Sequence, residues 1–174
     1  MKRLFLLRHA KSLRDESMDD KDRPLNARGR ADAPTMGAYM HKERYIPDRV
    51  LCSSAKRTVE TWTMLAPELE TVPQPNLLDS LYLAVSGSIL KIIRQEGRDA
   101  AALLVIGHNP GLEDAARKLT AKPSSAKERE LVAEIETKFP TGALAVLEFE
   151  IGAWPEMTEG AGKLVDFARP KHLP

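Results

Sequence analysis

Two histidines and two arginines occur in three short segments of the sequence, and together they could bind and transfer a phosphoryl group. Arg8 and His9 lie in the first segment, Arg57 in the second and His108 in the third. An arginine presents a planar fork that matches two phosphate oxygens. A neutral imidazole can then attack phosphorus in line, so that catalysis depends on positioning and electrostatic stabilisation. Neighbouring arginines also disfavour the imidazolium form, which helps to keep such a histidine nucleophilic.

Each of these segments follows a short run of mostly apolar residues, which is typical of a buried parallel strand. The runs are Leu4–Leu7, Arg49–Cys52 and Leu103–Ile106. In open α/β sheets, ligands bind beyond the carboxyl ends of the strands. If the three strands are parallel neighbours, the imidazoles and guanidiniums meet at one edge of the sheet. Such a cluster of cationic groups predicts an anion-binding site.

The rest of the sequence alternates predicted helices with predicted strands. The predicted helices are Ala27–Lys42, interrupted by Pro34, Ala55–Leu65 after a cap at Ser53 or Ser54, a helix from a cap at Ser86 or Ser88 to Glu96, and Pro110–Leu119 with Asn109 as the cap. Strands at Ala143–Glu150 and Leu164–Phe167 can close an antiparallel hairpin. Residues 13–24 are predicted to form a loop, 66–78 an extended connection and 121–130 a mobile polar connection. This order predicts a three-layer α/β/α sandwich around a mostly parallel sheet, as one domain over residues 1–174.

Three motifs resemble the histidine phosphatase superfamily, also called phosphoglycerate mutase-like. They are LFLLRHAKS, SSAKRTVET and VIGHNPG, in this order. The stretches RHAKS, DRPLNARGR and FARPK are similar to the SixA-type phosphohistidine phosphatase branch of that family. The resemblance implies that His9 is the nucleophile that becomes phosphorylated, with Arg8, Arg57 and His108 completing the phosphate pocket. Ser12 and Asn109 lie beside the motifs as further candidates for a phosphate contact.

The resemblance also raises the question of a proton donor. Larger family members use a carboxylate to protonate the leaving oxygen, and Asp79 lies where that acid normally occurs. Members of the SixA type often lack a clear acid, and a phosphorylated imidazole leaves easily once it is protonated. Asp79 could equally cap or brace the turn that follows it. Both roles for Asp79 stay open at this point.

Composition limits the function classes. Apolar residues make up 43% and charged residues 29% of the chain, which is globular rather than disordered composition. The net charge of +1 gives no field that would attract nucleic acid or a membrane surface. The basic start is followed by an apolar run too short for a secretory signal, and no run reaches the roughly 20 residues of a membrane helix. We therefore expect a cytoplasmic protein.

The sequence predicts neither a metal nor a cofactor. No two histidines have the i, i+4 spacing of a helical zinc site, and no loop shows the Gly-rich, lysine-ending pattern of a nucleotide site. Cys52 and Arg57 are too close together in sequence for the loop of a cysteine phosphatase. Cys52 is instead expected to pack at the end of a strand.

The first hypothesis is a phosphatase that acts on phosphohistidine in a protein, because a chain without long insertions leaves the pocket open. The alternatives are a phosphatase of a small phosphorylated metabolite and a phosphate-binding interaction module that has lost catalysis. A mutase would need a lid to keep water from the phosphoenzyme. Residues 13–24 and 121–130 are short for that purpose.

Overall fold

A mixed sheet of six strands forms the centre of the fold. The computed structural model describes all 174 residues of the chain. The strands are β1 (Lys2–Arg8), β2 (Arg49–Ser53), β3 (Asn76–Leu78), β4 (Ala102–Gly107), β5 (Leu144–Phe149) and β6 (Lys163–Ala168). Their order in the sheet is β3-β2-β4-β1-β5-β6. The first four in this order are parallel neighbours, whereas β5 runs antiparallel to both β1 and β6. The predicted mostly parallel sheet with an antiparallel C-terminal hairpin is confirmed.

Five α-helices cover the two faces of this sheet. They are α1 (Ala27–Lys42), α2 (Lys56–Leu65), α3 (Ser86–Glu96), α4 (Gly111–Leu119) and α5 (Ala126–Thr137). Successive side chains of a strand point to opposite faces. Accordingly, Leu4 and Leu6 of β1 pack in the core under α3, α4 and α5. Phe5 and Leu7 pack in a second core with side chains of α1 and α2. These two cores confirm the predicted three-layer sandwich.

Helix α5 is the one α-helix that the sequence analysis missed. Residues 121–130 were expected to form a mobile connection, but the helix begins at Ala126, where the Ser125 side chain accepts a hydrogen bond from the Glu128 N–H at 3.1 Å. Only Leu131 and Ile135 of this helix are buried. The prediction was wrong because a helix anchored by two apolar side chains carries almost no apolar periodicity. The 66–78 segment likewise contains more than a connection, since it includes a 3-10 turn at Ala66–Leu69 and strand β3.

The predicted helix caps were also wrong. Helices α2, α3 and α4 begin after Ala55, Val85 and Pro110, and none of these residues offers a side-chain cap. The Ser86 hydroxyl instead accepts a hydrogen bond from Lys118 Nζ at 2.8 Å. Asn109 keeps part of its expected role, because its Oδ1 accepts a hydrogen bond from the Glu113 N–H at 3.2 Å.

The sheet order places the chemistry-bearing segments side by side. Strands β2, β4 and β1 are adjacent and parallel, so their carboxyl ends lie at one edge. His9 follows β1, Ser53 ends β2 and His108 follows β4. None of the helices is both long and apolar enough to cross a bilayer.

Candidate active site

A pocket of about 210 Å³ lies at this edge of the sheet. It is lined by Arg8, His9, Lys11, Ser12, Arg14, Asp20, Arg23, Arg57, Leu83, His108, Asn109 and Thr141. The two imidazole rings lie 5.3 Å apart, centroid to centroid. The structure thus brings together every predicted site residue except Asp79.

His9 presents a free ring nitrogen to the pocket. Its Nδ1 lies 2.7 Å from the Ala10 carbonyl oxygen. Because a carbonyl oxygen only accepts hydrogen bonds, we assign the ring hydrogen to Nδ1, which leaves the lone pair on Nε2. Burial lowers the pKa of His9 to about 3, which outweighs the opposing effect of the hydrogen bond to Ala10, and the positive charges of Arg57 and Arg8 lower it further. The ring is therefore neutral, and Nε2 nucleophilic, throughout the physiological range.

His108 is held by a serine at the end of β2. The His108 Nε2 atom lies 2.7 Å from Ser53 Oγ, and the same oxygen accepts a hydrogen bond from the Ala55 N–H at 3.3 Å. The Ser53 hydroxyl hydrogen has no other acceptor, so we assign it to His108 Nε2 and place the ring hydrogen on Nδ1. Burial, and next the charge of Arg57, lowers the pKa of His108 to about 4. His108 is thus a neutral donor whose Nδ1–H is buried and has no partner in the protein.

The two arginines are also only partly satisfied. Arg57 is 2% exposed, and its Nη1 and Nη2 donate to the backbone oxygen and the carboxylate of Asp20 at 2.7 and 3.0 Å. Arg8 Nη1 donates to the Phe139 carbonyl oxygen at 3.0 Å. In both arginines, Nε is buried and has no hydrogen-bond partner. A buried unpaired donor costs about 1–3 kcal/mol, which an oxyanion bound in this pocket would offset.

Asp20 is a site residue that the sequence analysis missed. It lies in the 13–24 loop, within a 3-10 turn at Asp20–Asp22. Besides Arg57, its carboxylate accepts hydrogen bonds from Arg23 Nε and Nη2 at 3.0 and 2.9 Å and from the Tyr82 hydroxyl. The Tyr82 hydrogen bond, followed by those from Arg23 and Arg57, holds the pKa of Asp20 far below its usual range. The available signal was its place three residues before Arg23, within the loop that leads into the DRPLNARGR stretch.

Ser12 and Asn109 line the pocket but already have protein partners. Ser12 Oγ accepts a hydrogen bond from Arg23 Nη1 at 2.8 Å. Asn109 Nδ2 donates to the Phe139 carbonyl oxygen at 2.9 Å. Both side chains therefore hold neighbouring parts of the pocket in place, and a direct phosphate contact from either one stays a prediction.

Asp79 lies outside the pocket. Its side chain is 83% exposed and accepts hydrogen bonds from Lys21 Nζ at 3.0 Å and from the Ser54 hydroxyl. These hydrogen bonds, with that from Ser54 the largest cause, hold the pKa of Asp79 below its usual value. A general acid needs a raised pKa and a place near the leaving group. The geometry thus favours the bracing role, and proton donation by Asp79 stays a prediction.

Two further observations bear on the type of chemistry. Cys52 is fully buried, and burial raises the pKa of its thiol to about 12, so that it is not a nucleophile. The fold brings together no group of three or more His, Cys, Asp or Glu side chains that could hold a metal ion.

Residues 4–123 match the model of the histidine phosphatase superfamily (branch 1), and the chain belongs to this superfamily. An uncharacterized protein of Mycobacterium tuberculosis is 33% identical over 165 residues, which are 95% of this chain and 100% of that protein. A solved structure from Nakamurella multipartitia, described as a candidate phosphohistidine phosphatase SixA, is 28% identical with a TM-score of 0.82, over 97% of this chain and 96% of that one. Another from Agrobacterium tumefaciens, described in the same way, is 29% identical with a TM-score of 0.78, over 97% and 98%. Within the superfamily, the chain falls in the SixA-type branch, which supports a phosphatase.

Proposed function

We propose that this chain is a metal-independent phosphatase that transfers a phosphoryl group to His9 Nε2 and then hydrolyses the phosphohistidine. The observation that carries the proposal is the set of buried, unpartnered N–H groups in the pocket of His9. They are Arg8 Nε, Arg57 Nε and His108 Nδ1. Three donors suit the three non-bridging oxygens of a phosphoryl group, and fixed donors of this kind stabilise its charge during transfer.

In the first step, the lone pair of His9 Nε2 attacks phosphorus, the P–N bond forms, and the bond from phosphorus to the leaving group breaks. The electron pair of that bond goes to the leaving group, and a phosphorylated imidazole whose other ring nitrogen already carries a proton departs as a neutral imidazole. In the second step, a water oxygen attacks the phosphorus of phosphorylated His9. The P–N bond breaks, and phosphate leaves with His9 neutral again. The His9 Nδ1–H stays hydrogen-bonded to Ala10 throughout, which fixes the ring for both attacks.

We infer that the substrate is phosphohistidine on a protein. The pocket contains one carboxylate, that of Asp20, and it is bound by Arg23, Arg57 and Tyr82 with a strongly lowered pKa. No carboxylic acid in the pocket is therefore available to protonate an alkoxide leaving group. A phosphorylated imidazole needs no such acid from the enzyme once its ring is protonated. The likeness to two structures described as candidate SixA phosphatases supports the same substrate class.

The test is to incubate the purified chain with a phosphohistidine-containing protein in the presence of a metal chelator. His9→Ala removes the nucleophile, and His41→Ala is the matched control because His41 lies outside the pocket and its side chain is 48% exposed. We expect phosphate release and an acid-labile phosphoryl label on the wild type and on the control, and neither on His9→Ala.

Two other results would contradict parts of the proposal. Turnover of a small phosphomonoester but not of the phosphoprotein would retain the chemistry and favour a metabolite phosphatase. Equal phosphoprotein binding by the wild type and His9→Ala, with no turnover of either substrate, would indicate a binding module instead.

A further inference from the structure

The pocket holds more positive charge than a phosphoryl group needs. Its lining contains five cationic side chains and one carboxylate, that of Asp20. The cationic residues are Arg8, Lys11, Arg14, Arg23 and Arg57. The chain as a whole has a net charge of only +1, so this excess is local.

Three of the five arginine and lysine side chains have defined partners. Arg23 and Arg57 both contact the Asp20 carboxylate. Arg8 donates to the Phe139 carbonyl oxygen through Nη1, and its Nε is buried without a partner. These three side chains form the walls of the phosphoryl pocket, and Asp20 compensates part of their charge.

Lys11 and Arg14 are different. Neither side chain takes part in an ion pair anywhere in the structure. The neighbouring carboxylate of Asp15 is turned to Ser17, whose N–H and hydroxyl donate to it at 2.9 and 2.6 Å. Both side chains therefore line the pocket without a direct ion-pair partner, and Arg14 also lines an adjoining cavity with Asp15, Glu16 and Asp20.

The backbone that carries these two residues is held firmly against α1. The Lys11 carbonyl oxygen accepts a hydrogen bond from the Asn26 N–H at 3.0 Å. Gly29 approaches the same oxygen so closely that a Cβ there would lie 2.1 Å from it. The Leu13 N–H donates to the Pro24 carbonyl oxygen at 2.8 Å. The fold thus fixes the backbone at Lys11 and at Leu13, the residue before Arg14, while the Lys11 side chain is partly exposed and that of Arg14 is exposed.

We infer that Lys11 and Arg14 form a second-anion subsite, which binds another negatively charged group of the molecule whose phosphoryl group lies against His9. The subsite takes a carboxylate or a second phosphate, because ammonium and guanidinium groups bind both. The inference rests on the proposed function for the position of the phosphoryl group. The two sources of this chemistry are an acidic residue beside the phosphorylated histidine of a protein and an acidic group of a small metabolite.

The first experiment measures binding and does not depend on turnover. It compares 3-phosphonopropionate with propylphosphonate, two phosphonates that cannot be hydrolysed and that differ by one carboxylate. We expect the wild type to bind 3-phosphonopropionate about tenfold more tightly at low salt, as two exposed charge contacts would give. The Lys11→Gln/Arg14→Gln variant should lose this preference, so that its affinities for the two phosphonates lie within about twofold of each other. It should bind both more weakly than the wild type does, because two cations that line the pocket are gone.

A control double variant, Lys91→Gln/Lys127→Gln, removes the same charge from exposed positions on α3 and α5, away from the pocket. It should keep the preference. Equal affinity of the wild type for both phosphonates would overturn the subsite. So would a preference that the control variant loses as well, because the effect would then reflect net charge alone.

The second experiment distinguishes the two sources. It compares kcat/KM for two phosphohistidine peptides that carry either aspartates or asparagines beside the phosphorylated residue. A preference for the aspartate peptide that disappears in Lys11→Gln/Arg14→Gln assigns the subsite to a protein substrate. A preference confined to the small phosphonates assigns it to a metabolite. If no peptide turns over but the phosphonate preference is present, the proposed function fails and the subsite stands.

Discussion

Asp20→Asn is the substitution that best tests how the pocket balances its charges. The Asp20 carboxylate lies 3.0 Å from Arg57 Nη2 and 2.9 Å from Arg23 Nη2. A phosphoryl group bound by Arg57 therefore shares that guanidinium with a negative charge. Asparagine keeps the size and one acceptor oxygen of the side chain but removes the charge. We expect phosphate to bind more tightly and the chemical step to become slower.

The size of the affinity change follows from Coulomb's law. Two anionic groups that share one guanidinium lie about 6 Å apart, where unit charges repel by about 0.7 kcal/mol in a water-like dielectric and about 3 kcal/mol at an effective value near 20. Since the Asp20 side chain is 47% exposed, the lower figure applies. For a phosphate dianion the repulsion doubles to about 1.4 kcal/mol, so its removal in Asp20→Asn should tighten phosphate binding by about tenfold.

The loss in rate has a separate cause. Arg57 is buried at 2% exposure, and the carboxylate fixes the orientation of its guanidinium. The weaker hydrogen bond to the neutral amide of the variant lets the Arg57 guanidinium move from the position in which Asp20 holds it. Misplacement of one group that stabilises the transferred charge should lower kcat by about tenfold or more.

The assay is steady-state hydrolysis with inorganic phosphate as a product inhibitor, for the wild type, Asp20→Asn and Asp22→Asn. Asp22 lies in the same 3-10 turn, is exposed and does not line the pocket. Its substitution should leave both the inhibition constant and kcat within about twofold of the wild type. An unchanged or weaker inhibition by phosphate in Asp20→Asn would refute the reasoning, because Asp20 would then not compete for Arg57.

Three further predictions concern stability and can be measured by urea unfolding. The pKa values of His9 and His108 are lowered to about 3 and about 4, so the unfolded chain binds more protons than the folded chain below about pH 6.5. The free energy of unfolding should therefore fall by up to about 2 kcal/mol per histidine between pH 7 and 5. His9→Gln should show a shallower pH dependence of this free energy, and a slope identical to that of the wild type would contradict the argument. Gly111→Ala should destabilise the folded protein by about 3 kcal/mol, because a Cβ at this position would lie 1.8 Å from the Ala84 carbonyl oxygen. Unchanged stability would show that the backbone moves apart there at no cost. Leu83 has a φ of 51°, a left-handed backbone conformation that favours glycine, and the residue is 54% exposed, so little packing is lost when its side chain is removed. Leu83→Gly should therefore stabilise the protein by about 0.5 kcal/mol, whereas Leu83→Ala should not. A gain in stability in both variants would exclude backbone strain as the cause.

The sequence was most informative where local patterns determine structure. Short apolar runs predicted strands β1, β2 and β4, and the rule that sites lie at the carboxyl ends of parallel strands then brought His9, Arg57 and His108 to one edge. The strand predictions needed only the neighbours of each residue in sequence, whereas the grouping of the site residues also needed the strands to be parallel neighbours and drew on the resemblance to the histidine phosphatases. The strand predictions succeeded because a buried parallel strand must be apolar on both faces, whatever the rest of the chain does.

The sequence was least informative where contacts join distant segments. Asp20 approaches Arg57 across 37 positions and Tyr82 across 62, and its place three residues before Arg23 is only a weak signal among several acidic residues of the 13–24 loop. Asp79 shows the opposite error, because the sequence suggested a site residue and the fold places it outside the pocket. It stands in the right order along the chain for a general acid, yet the fold turns its side chain to solvent, Lys21 and Ser54.

Several irregular features of the molecule belong to residues that line one pocket. Arg8, Arg57 and His108 account for three of the five buried polar atoms without partners, and Leu83, one of four non-glycine residues with a positive φ, lines the same pocket. Each unpaired donor destabilises the free protein by about 1–3 kcal/mol, and left-handed backbone adds to that total. Such features persist in a fold only where the surrounding structure holds them in place. Here the surrounding structure is a sheet whose core side chains are fully buried on both faces. Under the proposed function, the free energy that these groups leave unsatisfied is available to stabilise a phosphoryl group during its transfer to His9.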